Sequence, residues 1–116
     1  MMLMVAKKTK DDVVKFITMT ANKQKWVLHP DKEFLDLLVD GLMTNYNRYG
    51  YFSCPCRAAA GVREKDSDII CPCAYCVPDQ KEFGHCYCGL YLTQAFAKQG
   101  KKPKPIPERR PAEKDA

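Results

Sequence analysis

All seven cysteines of this 116-residue chain lie between Cys54 and Cys88, six of them as three Cys-x-Cys pairs. The pairs are Cys54-Pro55-Cys56, Cys71-Pro72-Cys73 and Cys86-Tyr87-Cys88, with Cys76 as an extra thiol. An odd count prevents complete pairing into disulfides. The apolar run Met1–Ala6 is stopped by Lys7 and Lys8, and nothing later approaches about 18 consecutive apolar residues, so neither export nor a membrane span is expected. In a chain kept in the reducing cytoplasm, clustered thiols point to metal binding or redox chemistry rather than to a structural disulfide framework. A chain this short also gains from a metal staple, because its core is small.

The spacing narrows the chemistry. Zinc sites usually separate paired cysteines by two or more residues, and the closely spaced run of bacterial ferredoxins also differs from this one. A cubane iron–sulfur cluster takes four thiolates. If the central pair supplies two ligands, each outer pair can supply one and leave its other thiol two residues away, beside the cluster. Which member of each outer pair plays which part stays open at this point. Two such left-over thiols can bridge if their Cα atoms lie within about 7 Å, which would set a two-electron disulfide beside a one-electron relay. Pro55 and Pro72 fix φ within their pairs and stiffen the spacing of adjacent sulfurs.

At 46% hydrophobic and 28% charged residues, the chain has a globular composition. Val13, Val14, Phe16, Ile17 and Ala21 recur at three- and four-residue steps behind Thr9, Asp11 and Asp12, which predicts an amphipathic helix over 10–24. Phe34, Leu35, Leu38, Leu42, Met43 and Tyr46 form a second helical face, beginning at Pro30-Asp31 and closed by Gly50. The polar stretch Arg63–Asp68 reads as a turn or short helix and loop. After Gly100, Pro103, Pro105, Pro107 and Pro111 stand among Lys and Arg, which predicts an extended or flexible tail with little to bury.

Cys-Pro-Cys-Arg at 54–57, Cys-Pro-Cys at 71–73 and Cys-x-Cys at 86–88 resemble the catalytic subunit of ferredoxin–thioredoxin reductase. The likeness extends to Gly41-Leu42 through Tyr49-Gly50 and to Leu90-Tyr91-Leu92-Thr93, covering roughly residues 31–95. It implies a mainly α fold, a small single domain of short helices and loops wrapped around an iron–sulfur cluster. Residues 1–99 would form this domain and 100–116 the flexible Pro/Lys-rich tail. It also implies that Cys54, Cys71, Cys73 and Cys86 bind a [4Fe–4S] cluster while Cys56 and Cys88 form the active disulfide. Cys56 would attack the disulfide of thioredoxin or a similar protein. Cys88 would be held by the cluster between two one-electron deliveries from ferredoxin, and would then resolve the mixed disulfide. A small second subunit belongs to the plant-type relatives.

Two positions depart from the pattern. The family usually has His between the last two cysteines, where this chain has Tyr87, and His85 stands just before Cys86. Because the unperturbed pKa of a histidine side chain lies near neutrality, His85 is the candidate acid or base, its other reading being simple packing near the cluster, whereas a tyrosine such as Tyr87 titrates too high to replace it without a large shift. Cys76 has no counterpart, and its simplest reading is a packed thiol. His29 reads as structural, and Arg57 either as a charge that favours the thiolate of its neighbour Cys56 or as a solvated residue on a turn. The net charge of +5 favours an acidic partner, with Lys98, Lys101, Lys102, Lys104, Arg109 and Arg110 as either a docking patch for ferredoxin or a solvated tail. The competing functions are a zinc-binding module that contacts nucleic acid and a simple electron carrier with idle spare thiols. The disulfide reductase is the reading carried forward, with neither membrane nor nucleic acid expected as a partner.

Overall fold

The computed structural model describes residues 7–114, so the apolar run Met1–Ala6 lies outside the described residues. Helix α1 spans Lys10–Gln24 and starts at a capping box: Asp12 N–H donates to Thr9 Oγ1, and Thr9 N–H donates to the Asp12 carboxylate. Its buried stripe is Val13, Ile17 and Ala21 at four-residue steps. Helix α2, Lys32–Tyr49, is capped by Asp31, whose carboxylate accepts the N–H groups of Glu33 and Phe34, and it ends at Gly50 in the left-handed region. Leu38, Val39 and Leu42 face the core, where α1 and α2 pack together. Phe34 departs from the expected core face and is 39% exposed. It sits in the first turn of α2 and packs against the His29 ring.

The two helices are joined by strand β1, Val27–Leu28, which pairs antiparallel with β2, Tyr91–Leu92. This short ladder, with His29 N–H donating to Leu90 C=O, brings the third cysteine pair against the helical layer. The first and second pairs are tied together likewise: Cys54 N–H donates to Ile69 C=O and Cys71 N–H to Phe52 C=O. Between them lie helix α3, Arg63–Asp66, and a 3-10 turn, Ser67–Ile69. Helix α4, Cys76–Phe83, and the short α5, Gln94–Lys98, complete a mainly helical architecture.

Asp66, fully buried, organises the loop between the first two cysteine pairs. Its carboxylate accepts the Tyr51 hydroxyl and the N–H groups of Ala60 and Gly61. Burial works against the charge, but these donors hold the Asp66 carboxyl below its ordinary value. An Asp66→Ala variant removes the acceptor from three donors, of which the Tyr51 hydroxyl is buried, and is expected to lose about 2 kcal/mol of stability in urea unfolding. Because the folded value is depressed, this contribution is present above the ordinary carboxylate range and disappears as pH falls through the lowered value. The stability gap between the parent and Asp66→Asn should therefore close on acidification.

The C-terminal segment is extended from 101 to 111 and ends in a 3-10 turn, Ala112–Lys114. Against the expectation of little to bury, it lies across the cysteine region as a strap. Lys104 N–H donates to His85 Nε2 at 3.3 Å. Glu108 pairs with Arg57, Arg109 with Asp79 and Glu82, and Arg110 with Asp68. Arg110 is only 5% exposed. Arg109 and Arg110 are thus engaged with the domain itself, while Lys98, Lys101, Lys102 and Lys104 remain exposed.

Candidate redox centre

Each cysteine pair is placed by a different local device. The first follows α2, where Gly41 allows close approach: a Cβ on Gly41 would stand 2.7 Å from Pro55 Cβ. The second follows the bridge of Ser53 with Ile70, and its Cys71–Pro72 peptide is cis. The third occupies a tight turn in which Gly89, at φ 76°, donates its N–H to Cys86 C=O. A side chain at Gly89 would also collide with Pro103 of the strap, 2.9 Å from the added Cβ.

Together these devices bring Cys54, Cys71, Cys73, Cys76, Cys86 and Cys88 to the wall of one small cavity that is partly open to solvent. Cys54 and Cys88 Sγ are 3.1 Å apart. Tyr91 N–H donates to Cys86 Sγ at 3.4 Å, and Gln80 Nε2 donates to Cys76 Sγ at 3.3 Å from one turn along α4. Cys56 alone of the seven is exposed, and it faces an outer groove shared with His85, Tyr87 and Cys88. Cys88 belongs to both spaces: it lines the inner cavity beside Cys54 and lies within hydrogen-bonding reach of Cys56 in the groove.

Crowding buried thiols makes ionisation uneven. Burial, and then the neighbouring sulfurs of Cys86, Cys54 and Cys73, push Cys71 far up; burial likewise raises Cys73. Where two thiols share a proton, one gains and the other loses. Cys88 stabilises the Cys54 thiolate and is itself raised, while the Cys76 hydrogen bond brings Cys86 down to about 7. Full ionisation of this wall therefore calls for a positive group within the cavity.

Arg57 supplies one such charge from the side. Its side chain is 2% exposed, with Nη1 3.3 Å from Cys73 Sγ and 3.7 Å from Cys54 Sγ. Its guanidinium lies 4.4 Å from the Tyr87 ring centroid and 5.2 Å from that of Tyr75. The sequence reading directs Arg57 at Cys56, but the geometry directs it at Cys54 and Cys73. His85 is buried, with Nδ1 2.7 Å from Cys86 C=O and Nε2 accepting from Lys104. This pairing fits the neutral tautomer protonated on Nδ1. His29 accepts the Asp31 N–H at the start of α2, as its structural reading expects.

A sequence model of the family described as ferredoxin thioredoxin reductase catalytic beta chain matches residues 4–110. The chain belongs to that family. No individual curated protein matches it. The ferredoxin–thioredoxin reductase catalytic chain is the catalytic subunit of an oxidoreductase and belongs to an iron–sulfur enzyme. The match reaches into the strap, well past the roughly 31–95 covered by the motif resemblance.

The donor set fits an iron–sulfur group. Soft thiolates are its ligands, the wall supplies them in excess, and N–H groups of Tyr91 and Arg57 already point at sulfur. Among the described residues no three or more His, Cys, Asp or Glu are placed to hold one metal ion; the thiols surround a space instead. Cys76 is the residue of the cavity wall that sequence reasoning set aside. Its one signal was a position three residues beyond Cys73, which carries it onto the first turn of α4. Among the described residues, no helix is long and apolar enough to cross a membrane.

Proposed function

We propose that this chain is a ferredoxin-dependent disulfide reductase acting on thioredoxin or a similar protein in a reducing compartment. In this reading Cys54, Cys71, Cys73 and Cys86 hold a [4Fe–4S] cluster, and Cys56 with Cys88 is the redox-active pair. When bound, the cluster accepts and donates single electrons, which couples a one-electron donor to a two-electron disulfide. The observation that carries the reading is the position of Cys88, common to the thiol-walled cavity and to the groove where Cys56 is exposed.

The chain's own residues account for the thiol chemistry. Cys56, accessible in the groove, attacks one sulfur of the partner disulfide as a thiolate, forms a mixed disulfide and releases the other partner sulfur as a thiolate. Cys88 then attacks Cys56 Sγ, the second partner thiolate leaves, and a Cys56–Cys88 disulfide closes. Two electrons from ferredoxin and two protons restore the pair. A small second subunit is a further partner in this reading.

His85 is the proposed proton-transfer residue, because it lines the groove with both thiols. Its Nδ1 is held by Cys86 C=O, so Nε2 is the working atom, and proton traffic requires the Lys104 N–H to move aside. Replacing His85 with Asn is expected to slow turnover by about a hundredfold with iron content unchanged. Parallel iron assay and ferredoxin-driven reduction of a protein disulfide check both halves.

The experiment that tests the whole reading is iron, acid-labile sulfide and zinc per chain after anaerobic purification, with the visible spectrum. About four irons and four sulfides are expected. Zinc without sulfide, persisting after attempted cluster reconstitution, would replace this reading with a structural zinc module.

A further inference from the structure

Resting on the reading of the cavity as an iron–sulfur site, we propose that Glu108, carried by the C-terminal strap, is a positioning residue that aims Arg57 and thereby sets the reduction potential of the bound cluster. The guanidinium is a rigid fork of N–H donors with distinct edges. Arg57 Nε meets Glu108 Oε2 at 2.6 Å and Nη2 meets Oε1 at 2.7 Å, a side-on pair that fixes the plane of the group. With that edge taken, Nη1 is the edge turned to Cys73 and Cys54. Tyr87 and Tyr75 flank the guanidinium, and the burial of Arg57 makes the charge effective at short range.

The strap holds Glu108 in register. Arg109, the next residue, reaches Asp79 and Glu82 of α4, and Arg110 after it reaches Asp68 within the 3-10 turn Ser67–Ile69. Arg110 N–H also donates to Glu108 Oε1 at 2.9 Å. Three consecutive residues therefore lock an extended segment onto the rim of the cavity, with the middle of the domain as anchor.

Positive charge and N–H bonds to ligand sulfurs stabilise the more negative, reduced state of a cluster and raise its potential. Glu108 can act in two ways with opposite signs. As a bare negative charge it would lower the potential, so its neutralisation would raise it. As the residue that aims Arg57 it raises the potential, so its loss lowers it. Being 29% exposed and farther from the sulfurs, its own charge is the better screened.

The test is a redox titration of the reconstituted full chain, followed by visible absorbance and by electron paramagnetic resonance. The parent, Glu108→Gln, Arg57→Met and the double variant are compared, with iron and sulfide measured on each. Glu108→Gln and Arg57→Met are expected to move the potential in the same, negative direction, and the double variant no further than Arg57→Met alone. An unchanged or raised potential in Glu108→Gln overturns the proposal. If Glu108→Gln fails to keep the cluster, Glu108→Asp retains the charge but shortens the arm, and an unshifted potential there overturns it equally. A parent chain that assembles no cluster overturns the underlying reading and this inference with it. A parent with a full cluster and unshifted variants overturns the inference alone.

Discussion

A Cys56→Ser variant is expected to keep its full iron and sulfide content while losing disulfide reduction by about a thousandfold or more, the scale of removing a covalent nucleophile. The separation follows from where the sulfur stands. Cys56 is exposed in the groove and takes no part in the cavity wall, so its loss removes the attacking atom without touching a ligand. A serine hydroxyl in its place is not ionised near neutral pH and does not open a disulfide. The reciprocal variant sharpens the test. With Cys88→Ser, Cys56 still attacks but nothing resolves the product, so the partner should remain covalently attached and be visible by mass spectrometry as a complex that thiol reductants dissolve. Loss of iron in Cys56→Ser would sink the assignment, because it would make Cys56 a ligand.

The long helices of this fold were legible because their signals are local. Thr9 with Asp12, Asp31 before the second apolar stripe, and Gly50 after it are chain-end chemistry that acts within one turn. The strand pair was not legible: Val27–Leu28 and Tyr91–Leu92 are two residues each, too short for alternation to register, and they exist only because distant segments meet. Helix α4 was hidden for a related reason. Its first residue, Cys76, reads as another thiol of the redox segment, and its buried face uses Asp79 and Gln80, polar residues that carry no apolar signal: Asp79 Oδ1 accepts from Arg109 and Gln80 Nε2 donates to Cys76 Sγ, while Asp79 Oδ2 and Gln80 Oε1 are buried without a partner.

Of the site, the three pairs and the exposed thiol followed from spacing and resemblance, whereas the strap did not. Prolines and lysines after Gly100 carry no helical or strand period, and nothing in Glu108-Arg109-Arg110 announces partners as remote in sequence as Arg57, Asp79 and Asp68. Ion pairs at such separations are products of the tertiary fold. The same limit affected Arg57: its neighbour in sequence is Cys56, but the turn closed by Arg57 N–H on Cys54 C=O carries the side chain inward to the other sulfurs.

Replacing Cys71 with Ser is expected to reduce iron from about four per chain to near zero and to lower the urea midpoint, since metal–ligand bonds are also folding energy. Burial, and then the sulfurs of Cys86, Cys54 and Cys73 around it, push Cys71 well up toward its neutral form, so without a cluster its surroundings tolerate charge poorly. Cys76 shares the wall but is differently placed: Gln80 donates to its sulfur and it is hydrogen-bonded to Cys86. Cys76→Ser should therefore retain about four irons, the hydroxyl keeping its contact with Gln80. Cys86→Ser should fall between these extremes, because a second sulfur stands within reach to take the vacated iron. Iron and sulfide assays on the three variants decide the order. If Cys76→Ser lost the cluster while Cys86→Ser kept it, the two would exchange roles, and the fourth ligand would be the thiol at the start of α4 instead of the one in the Cys86–Cys88 turn.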